Sequence, residues 1–256
     1  MDVHLVVDYM FFQPESGLQQ LSFVGGDVTI SFNSALTDLA GLDSLSEIEQ
    51  GLFLSSNPSL ASIEGLAILH RIGGDLSVSR SSAVTSLDGL HELVSVGGDI
   101  RITENERLLS IAALGGLQIA TEDLSVQDNA DLSSLDGLQN VLSVGRDLDI
   151  SGNASLADLS GLASLSAVAG DLRFTNNNAM VSLDGISSLS AVTSTLTVAD
   201  NAVLVDIDAL LSITQPLEGI RVHHNDLLCQ SDAESVAAQL SVSDEVSVYD
   251  NLGSCN

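Results

Sequence analysis

A 24-residue period constrains this chain more than any other feature. A pair of alternating aliphatic residues followed by asparagine recurs as Val28-Ile30-Asn33, Leu52-Leu54-Asn57, Ile100-Ile102-Asn105, Leu124-Val126-Asn129, Leu148-Ile150-Asn153, Leu196-Val198-Asn201 and Ile220-Val222-Asn225. Leu172-Phe174-Asn177 admits one aromatic, and Leu76-Val78 carries Ser81 in the asparagine place. No step between first members departs from 24. Such a fixed period means one supersecondary unit stacked on itself, which is a solenoid.

Spacing within one copy predicts the path of the chain. In the copy 146–170, Leu148 and Ile150 alternate with polar residues, the sign of a short half-buried strand. Leu156, Leu159, Leu162, Leu165 and Val168 then follow at intervals of three. That interval is too tight for the stripe of a long α-helix, and it fits a chain turning inward repeatedly around a triangular coil. Coils joined by strand pairing stack about 4.8 Å apart, so nine or ten of them make a rod of about 45 Å. Aromatics are only 3% and Trp is absent, so the core is aliphatic, as thin identical layers require.

Two corner columns have physical reasons to recur. Each asparagine falls where the strand ends, where a buried amide can bond backbone groups that no ladder satisfies and also reach the next copy. Ser81 therefore predicts a weak rung. Glycines at 41, 65, 89, 137, 161 and 185 mark a second corner, needing positive φ or close approach; Ala113 and Ala209 replace them.

The ends of a stack must differ from its middle, because they would expose a core layer. Residues 1–27 are expected to form an N-terminal cap and imperfect first coil, with Phe11 and Phe12 as lids; residues 28–228 form the regular repeats. Residues 229–256 are expected to form a C-terminal cap with a helix over 231–240 and a final strand over 246–250. Ser231 as N-cap and Glu234 three residues on would make a capping box for that helix. Cys229 and Cys255 bracket the cap. A disulfide between them implies an oxidising compartment, with two free cysteines as the alternative.

Charge excludes some partners. With 35 acidic residues, 7 Arg, no Lys and a formal charge of −28, the chain is unsuited to nucleic acid or anionic lipid. No apolar run reaches the length of about 20 residues that a membrane span needs. Residues 1–12 lack a basic n-region and are interrupted by Asp8, so they make a poor signal peptide. An exported protein of this kind would carry a leader that is absent from this sequence.

Several constellations invite a chemical reading. Asp27, Asp75, Asp99, Asp123, Asp147 and Asp171 form a column before the strand. Neighbours at the stacking distance repel by about 1 kcal/mol in water, so something must offset this. Either each carboxylate accepts backbone N–H bonds in the turn, or the column makes a row of weak Ca²⁺ sites; no other cofactor is expected. Residues 147–158 match much of an EF-hand loop, but Leu148 and Ile150 are in register with core positions of the other copies. His223 and His224 with Asp226 suggest a metal site, yet adjacent strand residues point to opposite faces, so the rings are expected to diverge and no metal site is assigned. No nucleophile elbow, phosphate loop or zinc-protease motif is present, and no catalytic residue is expected.

The outward position between the two core aliphatics is the best functional lead. It holds Thr29, Phe53, Ser77, Arg101, Ser125, Asp149, Arg173, Thr197 and Arg221, taking three of the seven arginines. The neighbouring outward column (Ser31, Ser55, Ser79, Thr103, Gln127, Ser151, Thr175) reads as a structural hydroxyl ladder. Core columns repeat because packing demands it, whereas recognition surfaces vary. Phe53, Arg101, Asp149, Arg173 and Arg221 are therefore the candidate ligand-binding residues. The alternative is that Arg101 and Arg173 merely offset nearby Asp charge.

The run L-x-I-x-x-N-x-x-L resembles the leucine-rich-repeat core. The longer phrase over 93–105, S-V-G-G-D-I-x-I, together with L-x-G-L, resembles the receptor L-domain family across residues 17–228. That family includes the L domains of the insulin and epidermal growth factor receptors and related repeats of fungal cell-wall and bacterial surface proteins. The resemblance implies a right-handed, parallel β-solenoid of leucine-rich-repeat type. This chain lacks the cysteine-rich module and has no cysteine within the coils, so it implies the scaffold and a bias towards surface display, not receptor signalling. The expected function is a non-enzymatic extracellular or cell-surface binding module recognising a protein or glycan through the strand face. The alternatives are a self-associating rod or filament subunit and an ice-binding protein using the hydroxyl ladder.

Overall fold

The computed structural model describes residues 4–8 and 17–255. Its frame is an eleven-stranded, all-parallel sheet, one strand per coil in chain order. The strands are β1 (Leu5–Asp8), β2 (Val28–Ser31), β3 (Leu52–Ser55), β4 (Leu76–Ser79), β5 (Ile100–Thr103), β6 (Leu124–Gln127), β7 (Leu148–Ser151), β8 (Leu172–Thr175), β9 (Thr195–Ala199), β10 (Leu217–His223) and β11 (Val242–Tyr249). The chain is a parallel β-solenoid closed at its C-terminal end by one helix, α1 (Gln230–Gln239). Phe11 and Phe12 lie outside the described residues.

The interval of three comes from turns rather than from a helix face. In the copy 146–170, the Leu156, Leu162 and Leu165 amides donate to the carbonyls three residues back, those of Asn153, Leu159 and Leu162. Such 3₁₀-type bonds return a side chain to the same side every third residue. Leu148, Ile150, Leu156, Leu159, Leu162, Leu165 and Val168 are all fully buried as a result. Burying each aliphatic side chain contributes about 1.5–3 kcal/mol.

The asparagine ladder is the polar counterpart of this core. Asn129 donates its backbone N–H to Asn153 Oδ1 at 3.1 Å and its Nδ2 to Ile102 O at 2.8 Å, and it is fully buried. The same pattern recurs at Asn105, Asn153, Asn177 and Asn201. At the third copy Ser81 Oγ bonds only its local Ser79 carbonyl, so the amide-mediated link to the preceding coil is missing there among the described residues.

The residue before each asparagine, and before Ser81, adopts a left-handed conformation. Phe32, Ser56, Arg80, Glu104, Asp128, Asn176, Asp200, His224 and Asp250 all have φ between 49° and 59°, and Gly152 has φ +70°. A side chain there costs of order 1 kcal/mol or more per residue. The column is legible in the sequence only at Gly152, because the other copies tolerate the strain.

The glycine corner works by close approach. A Cβ built on Gly65, Gly89, Gly161 or Gly185 would lie about 2 Å from the backbone of the preceding coil. Where Ala113 and Ala209 stand instead, the 3₁₀ turn lengthens to five residues, Ala112–Gly116 and Asp208–Ser212. Beyond this corner most coils carry a two-residue strand. These form two four-stranded sheets, one from Phe23–Val24 to Ser95–Val96 and one from Ile119–Ala120 to Ala191–Val192. Each ends where the next corner is alanine and its 3₁₀ turn runs to five residues.

The C-terminal cap corrects the expected boundaries. Helix α1 starts at Gln230, not Ser231, and no side chain caps it. The capping box is not formed: Glu234 accepts from Gln230 Nε2, and Ser231 Oγ lies 3.3 Å from the Cys255 sulfur. The Cys229–Cys255 disulfide is present and fixes the entry to the helix. Strand β11 begins at Val242, four residues before the expected start, and its register on β10 slips at a bulge between Leu217 and Gly219. Gln230 Oε1 accepts both the backbone N–H and the Nδ2 of Asn251, each at 3.2 Å. Gln230 thus supplies the acceptor that a further asparagine would have supplied, and closes the ladder.

Candidate functional site

Strand register brings the whole outward column into one line. Thr29, Phe53, Ser77, Arg101, Ser125, Asp149, Arg173, Thr197, Arg221 and Ser247 are consecutive cross-strand neighbours on the sheet face. Phe53 is half-buried because its ring lies over Gly51, where a Cβ would come within 2.4 Å of the ring.

Arg101 and Arg173 are held by the aspartate column beside them. Arg101 bonds Asp99 and also faces Asp75 at 3.6 Å and Asp123 at 3.9 Å. Arg173 bonds Asp171 and faces Asp147 at 3.7 Å. Arg221 pairs with Glu245 at 2.6 Å. The guanidinium groups of Arg101 and Arg173 therefore sit against the carboxylates whose mutual repulsion needed an offset. Their side chains remain 41% and 39% exposed, so the strip presents them in fixed poses.

The aspartates themselves are wired from coil to coil. One oxygen of Asp75, Asp99, Asp123 and Asp147 accepts the backbone N–H of the next aspartate in the column at 2.8–3.2 Å, and Asp171 accepts from Thr195. This is the backbone-capping geometry, and it accounts for an aspartate at this place in copy after copy. Burial alone would raise the Asp171 pKa, but hydrogen bonds from Ser194 and Thr195 and the nearby Arg173 outweigh it and hold the carboxyl below its ordinary value. Asp149 differs. Burial pushes its carboxyl up, only partly opposed by its bond from Ser151 and by Arg173. The EF-hand-like run places Leu148 and Ile150 wholly in the core, as their register requires.

The hydroxyl column is partly bonded to itself, Ser55 Oγ to Ser31 Oγ at 3.0 Å and Thr175 Oγ1 to Ser151 Oγ at 2.9 Å. Away from the strands, an acidic depression of about 620 Å³ lies along the 3₁₀ corners, with Asp38, Asp43, Glu64, Asp88 and His91 among its lining residues.

The histidine pair departs from expectation. The His223 and His224 rings converge, with their Nδ1 atoms 2.9 Å apart and ring centroids 5.0 Å apart. The divergence rule holds only while both residues are in the strand. His224 lies past the strand end with φ 55°, and this left-handed turn swings its side chain back over the sheet face. His223 stacks on Tyr249 at 4.9 Å, and the His224 Nε2 lies 3.5 Å from Asp250 Oδ2. Asp200, not Asp226, completes the cluster, with one ligand atom from each of Asp200, His223 and His224 within 4.8 Å of the others. Burial, reinforced by His224, lowers the His223 pKa.

Compared with protein-family models and with curated proteins, the sequence gives no match.

Proposed function

We propose that this chain is a non-enzymatic binding module that recognises a protein or glycan through the outward face of its long sheet. The observation that carries the reading is the contrast between columns of the same strands. The inward positions are buried and aliphatic in copy after copy, while the outward column changes among Thr, Phe, Ser, Arg and Asp on a rigid frame. Packing explains the first set and leaves the second free for recognition. A long, open face suits a macromolecular ligand better than a small molecule, which needs an enclosing cavity. The disulfide and the lack, among the described residues, of any helix long and apolar enough to cross a membrane support an extracellular or cell-surface setting. The likeness of the repeated phrase to receptor L domains supports the same role.

The test is a binding screen against surface glycans and secreted proteins, followed by the triple variant Arg101→Ala/Arg173→Ala/Arg221→Ala. A loss of at least about tenfold in affinity is expected if each arginine gives one charge-assisted contact. Unchanged binding of the identified ligand by the triple variant overturns the reading. A second reading, a self-associating rod, is favoured by the last strand. Val246 aligns with the fully buried Ile220 yet is 57% exposed, so among the described residues β11 leaves an unpaired edge beside an apolar step. Sedimentation across a concentration series tests it, with a monomer throughout ruling it out.

A further inference from the structure

We propose that Asp200, His223 and His224 form a binding site for a borderline divalent transition metal of the Zn²⁺/Cu²⁺ class, at the C-terminal end of the sheet face. The site is independent of the arginine strip. Its donors come from two columns that the coil geometry brings together. Asp200, His224 and Asp250 occupy the left-handed place of three successive turns, which projects each side chain outward from the same corner. His223 reaches in from the strand position beside it, where Ala199 stands one coil earlier and Tyr249 one coil later.

The donor geometry suits a metal. Two imidazole nitrogens bound to one ion at 2.0–2.1 Å, with an angle of 90–110° between them, are separated by about 2.9–3.4 Å. The two Nδ1 atoms already stand 2.9 Å apart. One carboxylate oxygen of Asp200 and one ring nitrogen of each histidine lie within 4.8 Å of one another, so a small side-chain adjustment brings the three onto one ion. Two imidazoles and one carboxylate form a borderline donor set that selects Zn²⁺, Ni²⁺ or Cu²⁺ over Ca²⁺ or Mg²⁺.

The surroundings hold the ligands in place. Metal-bound imidazoles usually turn their other ring nitrogen to a carboxylate, which fixes the ring and strengthens the donor. His224 does this with Asp250, 3.5 Å from its Nε2. His223 is held instead by parallel stacking on Tyr249, with planes 12° apart. The nearest guanidinium on this face, Arg221, is engaged by Glu245 at 2.6 Å. Asp200 and His224 are exposed, so an ion can enter from solvent and keep water in its remaining positions.

The test is calorimetric titration of the intact chain with Zn²⁺, Cu²⁺ and Ca²⁺. One Zn²⁺ or Cu²⁺ per chain is expected, with Cu²⁺ the tighter, while Ca²⁺ gives at most a weak, multivalent surface response. His223→Gln and His224→Gln should each weaken Zn²⁺ binding at least about 100-fold, and Asp250→Asn about tenfold. Asp226→Asn should leave it unchanged. In the unaltered chain, Zn²⁺ should shift the ring resonances of His223 and His224 and leave those of His4, His70 and His91 in place, a readout that needs no variant to fold. Equal Zn²⁺ and Ca²⁺ binding, Zn²⁺ binding untouched by both histidine substitutions, or ring shifts at the other histidines overturn the proposal.

Discussion

The middle of this solenoid and its C-terminal end are built from the same strand-and-asparagine unit but obey different rules. Between β2 and β9 every strand pairs with its neighbour 24 residues away, and each rung except that of Ser81 repeats the last. Between β10 and β11 the offset slips past a bulge, and Asn225 bonds Asn251, 26 residues on. The middle holds itself through copies of itself. At the end a disulfide, a helix and the Gln230 amide hold the last described rung. Where the period holds, packing assigns nearly every residue. Where it breaks, side chains such as His223, His224 and Tyr249 stand in columns elsewhere given to small hydroxyl groups or varied turn residues.

The largest expected contrast lies in the amide ladder. Asn129→Ala would leave the Asn105 N–H buried without its partner and take from the Ile102 carbonyl the second donor it has besides the strand ladder. At 1–3 kcal/mol for the orphaned N–H and about 1 kcal/mol for the lost bond, chemical denaturation should show a loss of up to about 4 kcal/mol. Ser81→Asn should act in the opposite direction and gain about 1 kcal/mol, the worth of one restored hydrogen bond. An Asn129→Ala loss no greater than that of an exposed substitution would show that the ladder is incidental.

The disulfide tests the end. Cys229 and Cys255 are 26 residues apart, and removing such a crosslink by Cys229→Ser/Cys255→Ser should cost about 3 kcal/mol. Hydrogen exchange should show α1 and β11 opening first while β4–β8 stay protected, since each repeat depends only on its neighbours. Uniform loss of protection along the rod would erase the distinction between middle and end.

A smaller contrast concerns the glycine corner. Gly89→Ala would put a methyl group 1.9 Å from the Ile63 carbonyl oxygen. Overpacking of this kind costs about 2 kcal/mol, read as a fall in melting temperature. The altered corner should also lose the pairing of Arg71–Ile72 with Ser95–Val96, as the natural alanine corners do. Retained pairing there would remove alanine as the cause of the gaps in the short sheets.

The smallest effect separates the two kinds of aspartate by pH. Burial raises the Asp149 carboxyl, so the folded chain binds that proton more tightly than the unfolded chain. Its favourable contribution is fully present below the unfolded pKa and is lost as pH rises through the folded value. Asp149→Asn should therefore stabilise at neutral pH, by less than about 1 kcal/mol, and the gain should vanish in acid. Asp171, held low, runs the other way: its contribution is present above the unfolded pKa and is lost as pH falls through the folded value. Parallel pH profiles of Asp149→Asn and Asp171→Asn would contradict these assignments.

Much of the fold was legible in residue types alone. The aliphatic pair, the interval of three and the asparagine and glycine corners each answer a packing demand that repeats, so each leaves a periodic mark. The candidate strip was legible as a column, and so was an offset of Asp charge by Arg101 and Arg173, but not the clasp of Arg101 by Asp75, Asp99 and Asp123 together. Those partners come from three coils and meet only when the coils stack.

The sequence by itself determined the period and the direction in which each repeated aliphatic faces. Tertiary structure alone decided the conformation of residue 224, the start of α1 at Gln230 and the closure of the ladder by a glutamine side chain. The physical reason is redundancy. A requirement met in every coil is written many times and can be read, whereas one met once, at an end, depends on backbone turns that bring together residues about 24 apart in the chain and has no second copy to reveal it.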